Sequence, residues 1–242
     1  MKRCPVIFLL VFVSSACAQY TDSTPYYAGL SSTGTFNKTN TSSSGLLNNG
    51  LTFSARKKAV KYNFHTKWLF GRQDGELTNN DLSSALDMNI YKTFPHFYYW
   101  GLLNYVSSYS LRIRQQLQAG GGVAYNVIDR KTTLLNISDG FIYDYSDIIL
   151  KDSSREQYGT VRNSLRVQVK KEIRERFIFS WTAFYQPSLQ YKEDYIVRSE
   201  ASCGVRLKKW LSIQSACHYN TISRTGKTNL FITYGLTLEN YF

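Results

Sequence analysis

The sequence predicts an all-β fold, an antiparallel up-and-down transmembrane β-barrel of about twelve strands. Three observations lead there: period-two alternation over unusually long segments, connections that alternate between long and short, and an aromatic last residue on an alternating final segment. Composition agrees. With 19 Tyr, 14 Phe and 4 Trp against 4 Pro in 242 residues, the chain is too aromatic to be disordered. Mean hydropathy is −0.31, and past residue 18 no apolar run approaches the ~20 residues a membrane helix needs. That excludes a helical membrane protein. Lys and Arg total 29 against 17 Asp and Glu, a formal charge of +12. Such a balance favours anionic partners without naming one.

The chain starts with an export signal. Lys2 and Arg3 are followed by the apolar run Pro5 to Val13 and the small residues Ala16-Cys17-Ala18, the three parts of a signal peptide. Residues 1–18 are then the signal and 19–242 the barrel domain. Lipidation at Cys17 is the alternative, weakened by Ser14 where such a motif carries Leu.

Alternation then runs through the chain. Val60, Tyr62, Phe64, Thr66, Trp68 and Phe70 share one face, and Lys61, Asn63, His65 and Lys67 share the other. This is a strand with one apolar and one polar side. The pattern recurs in twelve segments, at about 26–36, 46–56, 60–71, 82–93, 97–107, 110–127, 131–145, 158–171, 176–189, 195–207, 210–221 and 228–242. These exceed the soluble mode of ~5–6 residues and match the ~9–11 that cross a bilayer with tilt.

Connections give an independent indication. Membrane barrels alternate long outer loops with short periplasmic turns. Asn37 to Gly45, Arg72 to Asp81 and Ser146 to Gln157 read as long loops, all in odd-numbered places. The turns around Lys57-Lys58, Pro95-His96, Arg130-Lys131 and Lys208-Lys209 read as short. Ser107 to Tyr109 is shorter, and Lys170 to Arg176 longer, than the alternation requires. Gly235, Leu238 and Phe242 on the last segment fit the signal by which barrel-insertion machinery recognises an outer-membrane protein. In lipid every backbone polar group must be paired internally, so a β protein there must close on itself.

The polar faces bring Lys61, His65, Lys67, Arg112, Arg114, Arg162, Arg166, Lys170, Arg198 and Arg206 to the lumen, with Asp87, Glu200 and Glu239 as acidic company. An excess of inward cations favours small anionic solutes, because a low-dielectric wall focuses the field. The alternative is that these groups interlock and fill the lumen, leaving a closed structural barrel.

Within Phe97 to Asp147, an aromatic-rich strand leads to Gly120-Gly121-Gly122-Val123-Ala124-Tyr125, then a basic turn, then Leu135 to Ser146. This stretch resembles the family of salt-induced outer membrane proteins, loosely over most of the mature chain and well over about fifty residues. The resemblance implies a small bacterial outer-membrane β-barrel without assigned catalytic residues.

Other function classes find little support. A lipid hydrolase needs a nucleophile, a proton-relaying His and an orienting group within reach of one another. His65, His96 and His218 show no such pattern, and no catalytic residue is expected. Cys203, Cys217 and His218 are too few for a zinc site, so no metal or cofactor is expected either. The two cysteines straddle a hairpin and either pair or pack as small side chains. Export removes nucleic acid as a partner for the basic runs; at periplasmic turns they meet outer-membrane lipid phosphates or cell-wall polymer, or are simply solvated. The competing architecture is a soluble periplasmic β ligand-binding domain, with Trp68, Phe177, Phe179 and Trp181 in its interior.

Overall fold

The computed structural model describes residues 25–241. The expected export segment 1–18, with Cys17, and the terminal Phe242 lie outside the described residues. Among those residues the regular elements are β1 (Tyr26–Lys38), β2 (Ser43–Lys57), β3 (Val60–Gln73), β4 (Glu76–Phe94), β5 (Phe97–Ser108), β6 (Ile113–Arg130) and β7 (Thr133–Ile149). They continue with β8 (Arg155–Asn163), β9 (Leu165–Ile173), β10 (Phe177–Pro187), β11 (Tyr195–Lys208), β12 (Leu211–Ile222) and β13 (Lys227–Tyr241). Strands pair antiparallel in order around the wall. β13 returns to β1, with Leu30 opposite Leu238 and Gly34 opposite Tyr234, and the barrel closes.

The wall has twelve strand positions, one of them broken. β7 pairs with β8 over residues 141–149 and with β9 over residues 133–138. The expected strand 158–171 is therefore one path interrupted at Ser164, whose N–H donates to Gly140 O (2.8 Å). The break has a neighbour. β10 ends at Pro187, which has no N–H to carry a ladder further. Segment 188–194 then lies against β8, with the Leu189 N–H donating to Val161 O (2.9 Å).

The apolar faces point out. Leu230, Ile232, Tyr234, Leu236 and Leu238 of β13 are 45–68% exposed, while Thr233 between them is fully buried. Trp68, Phe177 and Phe179 are likewise exposed, where a soluble domain would enclose them. A continuous apolar exterior with a polar interior is the wall of a membrane barrel, so the soluble alternative fails.

The start of β1 and the end of β13 lie at one rim, the terminal rim, with turns at 58–59, 95–96, 131–132, 174–176 and 209–210. The distal rim carries connections 39–42, 74–75, 109–112, 150–154, 188–194 and 223–226. The loops expected at Asn37–Gly45, Arg72–Asp81 and Ser146–Gln157 are on the distal side but shorter than expected, because the strands run further. Asp74-Gly75 makes a two-residue hairpin with φ of 52° and 87°, the left-handed pair that Asp-Gly tolerates. The Asp74 carboxylate accepts the Ser43 N–H at 2.6 Å and pins the next loop.

The glycine-rich stretch of β6 has a packing role. Gly122 pairs with Trp100 on one side and Gly140 on the other. The Trp100 indole lies inward over the bare backbone, its N–H reaching Val123 O (3.2 Å) and Asp139 O (3.3 Å). A Cβ on Gly140 would sit 2.6 Å from Trp100 Cζ2.

Candidate functional site

The lumen is the candidate site, and strand alternation positions its side chains. It holds a cavity of about 440 Å³ in which apolar side chains such as Leu102, Phe184 and Phe231 mix with hydroxyls, amides and charged groups, among them His65, Lys67, Asp87, Arg166, Arg198, Glu200 and His218. On one wall Lys67 Nζ lies 2.5 Å from Glu200 Oε2, and His218 Nδ1 lies 3.4 Å from the same oxygen. The His218 ring stacks on Phe231 at 4.7 Å. Asp87 accepts from Asn63 (2.5 Å) and Asn89 (3.1 Å).

Two cations of the cavity wall have, among the described residues, no acid beside them. Arg166 of β9 and Arg198 of β11 both pair with Phe184 of β10, which places them in one row across three strands. Arg166 donates to Tyr98 Oη and Asn136 Oδ1, both at 3.2 Å. Arg198 donates to Gln116 Oε1 (2.9 Å) and Gln118 Oε1 (3.4 Å). Among the described residues no carboxylate lies within ion-pair distance of either. By contrast, Lys67 has Glu200, Arg162 has Asp144 and Asp194, and Arg206 has Glu172 and Glu239. Gln118 Nε2, Arg166 Nε, Gln186 Oε1 and His218 Nε2, all on residues of the cavity wall, are buried without a partner. Such groups cost about 1–3 kcal/mol each when left unmet.

Towards the distal rim the lumen narrows around a buried network. Arg162 is fully buried, its guanidinium 2.5 Å from Asp144 and 2.9 Å from Asp194, with Tyr158 Oη at 2.8 Å. Burial pushes the Asp194 carboxyl above its ordinary range, while the Arg162 and Arg224 guanidiniums pull it down. Arg224, from the 223–226 connection, stacks over Tyr158 and Tyr191 and pairs with Glu156. Beside this network, Val106, Leu111, Ile113, Ile148, Tyr158, Ile196 and Ile222 form a buried apolar cluster. All of them come from distal strand ends or from the 109–112 connection, which turns inward and delivers Leu111.

Two expected lumen residues are elsewhere. Arg114 points outward, its side chain 54% exposed, because a bulge between Ile113 and Gln115 shifts the register by one. Arg112 belongs to the 109–112 connection, with φ of 58°, and donates to Leu150 O (3.0 Å). The other expected residues lie on the inward face. Lys61 and Lys170 are near the terminal mouth, and Arg206 sits between Glu172 and Glu239. Gly235 faces in against β1, and Leu238 faces out. Asp144, Asp194 and the apolar cluster were not among the expectations. Asp144 was readable: Asn136, Ser138, Asp144 and Ser146 alternate with Ile137, Tyr143 and Tyr145. Cys203 and Cys217 are both free.

Comparison with solved structures places the fold among bacterial outer-membrane barrels. The NanC porin matches at TM-score 0.55 with 9% identity, covering 87% of this chain and 98% of that one. An outer membrane channel from Pseudomonas putida F1 matches at 0.54 with 10% identity, covering 96% and 100%. The translocator domain of the autotransporter NalP from Neisseria meningitidis matches at 0.53 with 12% identity, covering 89% and 88%. At these identities the likeness carries the fold alone. No curated protein matches the chain. A family model described as "Protein of unknown function, DUF481" covers residues 31–239, a description that carries neither salt nor stress. The chain belongs to that DUF481 family.

Proposed function

We propose that this protein is a narrow outer-membrane channel whose interior favours small anions and whose outer mouth is held closed by an in-turned loop. The supporting observation is a lumen cavity of mixed polar and apolar lining with Arg166 and Arg198 in its wall, both bonded to neutral groups alone. A barrel built only for structure gains nothing from burying two guanidiniums with no acid beside them. A channel with a low-dielectric wall uses such cations to attract anions. The apolar cluster around Leu111 supplies the closure, since hydrophobic constrictions block ions by excluding water. Exported chains of this kind place both termini in the periplasm, so the distal rim is the outer one. The final strand, with Leu238 outward and Gly235 inward, is the segment that insertion machinery would read. The reading assigns the lumen to passage and not to catalysis.

Reversal potentials across a salt gradient in planar bilayers test it, using a Leu111→Ser variant to favour the open state. Anion selectivity is expected, moving towards cations in Arg166→Glu/Arg198→Glu. A folded Leu111→Ser barrel that never conducts would support the closed structural alternative.

A further inference from the structure

The excess positive charge of this chain is concentrated outside the lumen. At the terminal rim, the spans 56–58, 129–131, 174–176 and 208–209 carry nine exposed cations and two exposed acids, Asp129 and Glu175. Around the distal connections, six exposed cations (Lys38, Arg72, Arg114, Lys151, Arg155, Lys192) face four exposed acids (Asp74, Glu76, Asp152, Glu193). One rim is strongly basic and the other nearly balanced.

We infer that the basic terminal rim binds the phosphate headgroups of anionic phospholipids. Depth is the first argument. The turns there are two or three residues long, and a strand rises ~3.3 Å per residue. The cations therefore stay within a few ångströms of the outward apolar band. Arg176 adjoins the exposed Phe177, and Lys208 Nζ lies 5.7 Å from the exposed Trp210 ring. Tyr26 and Phe53 stack at 6.3 Å just inside the Arg56–Lys58 turn. Aromatic rings mark the level of the headgroups in a membrane barrel, and Lys and Arg beside them extend their charge to that level. Chemistry is the second argument. Basic clusters at a membrane border attract anionic lipid, and the phospholipid leaflet of an outer membrane faces the periplasm. A wall polymer or acidic protein would need a surface that projects beyond the headgroups, which turns this short do not provide.

The inference rests on the outer-membrane reading, and bilayer insertion is scored separately. The full barrel, with Trp68→Phe and Trp181→Phe, is inserted in phosphatidylethanolamine bilayers. These contain a minor fraction of either brominated phosphatidylglycerol or brominated phosphatidylethanolamine. Trp210 then reports the lipid at the basic rim, and Trp100, inside the lumen, serves as internal reference. Quenching of Trp210 should be several-fold stronger with the anionic lipid and should weaken with added salt. Replacing Lys57, Lys58, Arg174, Arg176, Lys208 and Lys209 with Gln should bring the ratio to one. Lys38→Gln/Arg72→Gln at the other rim should leave the preference intact. A ratio of one in the inserted parent overturns the inference, as does a preference that survives the six replacements. A ratio of one with capture of isolated peptidoglycan by the same lysines and arginines would also overturn it, assigning the rim to the wall polymer. Failure to insert at all would instead count against the membrane reading.

Discussion

Asn229 Nδ2 lies 2.6 Å from Ser110 Oγ, joining β13 to the 109–112 connection across the distal mouth of the barrel. Asp81 secures the same loop from β4. Its carboxylate accepts the Ser110 N–H (3.0 Å), the Ser108 hydroxyl (2.9 Å) and the Ser110 hydroxyl. The loop that carries Leu111 into the apolar cluster is thus anchored by neighbours on both sides of the opening. Polar anchors hold it, and Leu111 packs into the apolar cluster.

Leu111→Ala removes a side chain of that cluster. The cost of emptying a buried Leu site is about 2–5 kcal/mol. It should appear as a lower temperature for conversion of the unheated to the heat-denatured gel form. An unchanged conversion temperature would mean that Leu111 packs against nothing of consequence.

Arg162→Leu should be among the most damaging single changes. It leaves Asp144 and Asp194 buried without their shared cation, a loss on the order of 3–5 kcal/mol. Urea unfolding in detergent measures it. Adding Asp144→Asn to Arg162→Leu should recover part of the loss, because one stranded charge is then removed.

Gly140→Val tests the seat of Trp100. The new Cβ would meet the Gly121 carbonyl oxygen as well as the indole at 2.6 Å, so strand and ring must both shift, destabilising the barrel by about 1–3 kcal/mol. Tryptophan emission should shift to longer wavelength as the ring enters a wetter site. Emission identical to that of the parent would show that the ring does not rest on Gly140.

Cys203 and Cys217 are diagonal neighbours, with Cys203 opposite Ser215 and Cys217 opposite Ala201. Reductant should therefore leave the mobility of the folded barrel unchanged, and a lipid-soluble maleimide should label the exposed Cys203. A reductant-dependent shift would show a disulfide.

Local pattern carried most of the wall. The run from Val60 to Phe70 writes its two faces directly into the sequence, and the structure keeps them: Tyr62, Phe64 and Trp68 out, His65 and Lys67 in. A period-two argument fails where one residue is added. The bulge at Ile113 and Gln115 turns Arg114 out and Ile113 in, and nothing in the residue types there announces the shift. The Asp74-Gly75 turn was legible by its left-handed preference and was read as part of a longer loop. The Arg162 network was not legible in full, since Asp144, Tyr158, Asp194 and Arg224 come from different strands and loops that only closure brings together. The pairing of charges was not legible for a similar reason. Composition gives the sum, while the pairing of Lys67, Arg162 and Arg206 with acids, and the clustering of cations at one rim, belong to the tertiary arrangement.

The most direct measurement is single-channel recording of the parent and of Ser110→Ala/Asn229→Ala, which releases the loop on one side while leaving Leu111 in place. The parent should be closed nearly all the time, and the variant should open repeatedly with an anion-selective current. A variant that is folded, inserted and as silent as the parent would contradict a loop-gated channel and leave a sealed structural barrel.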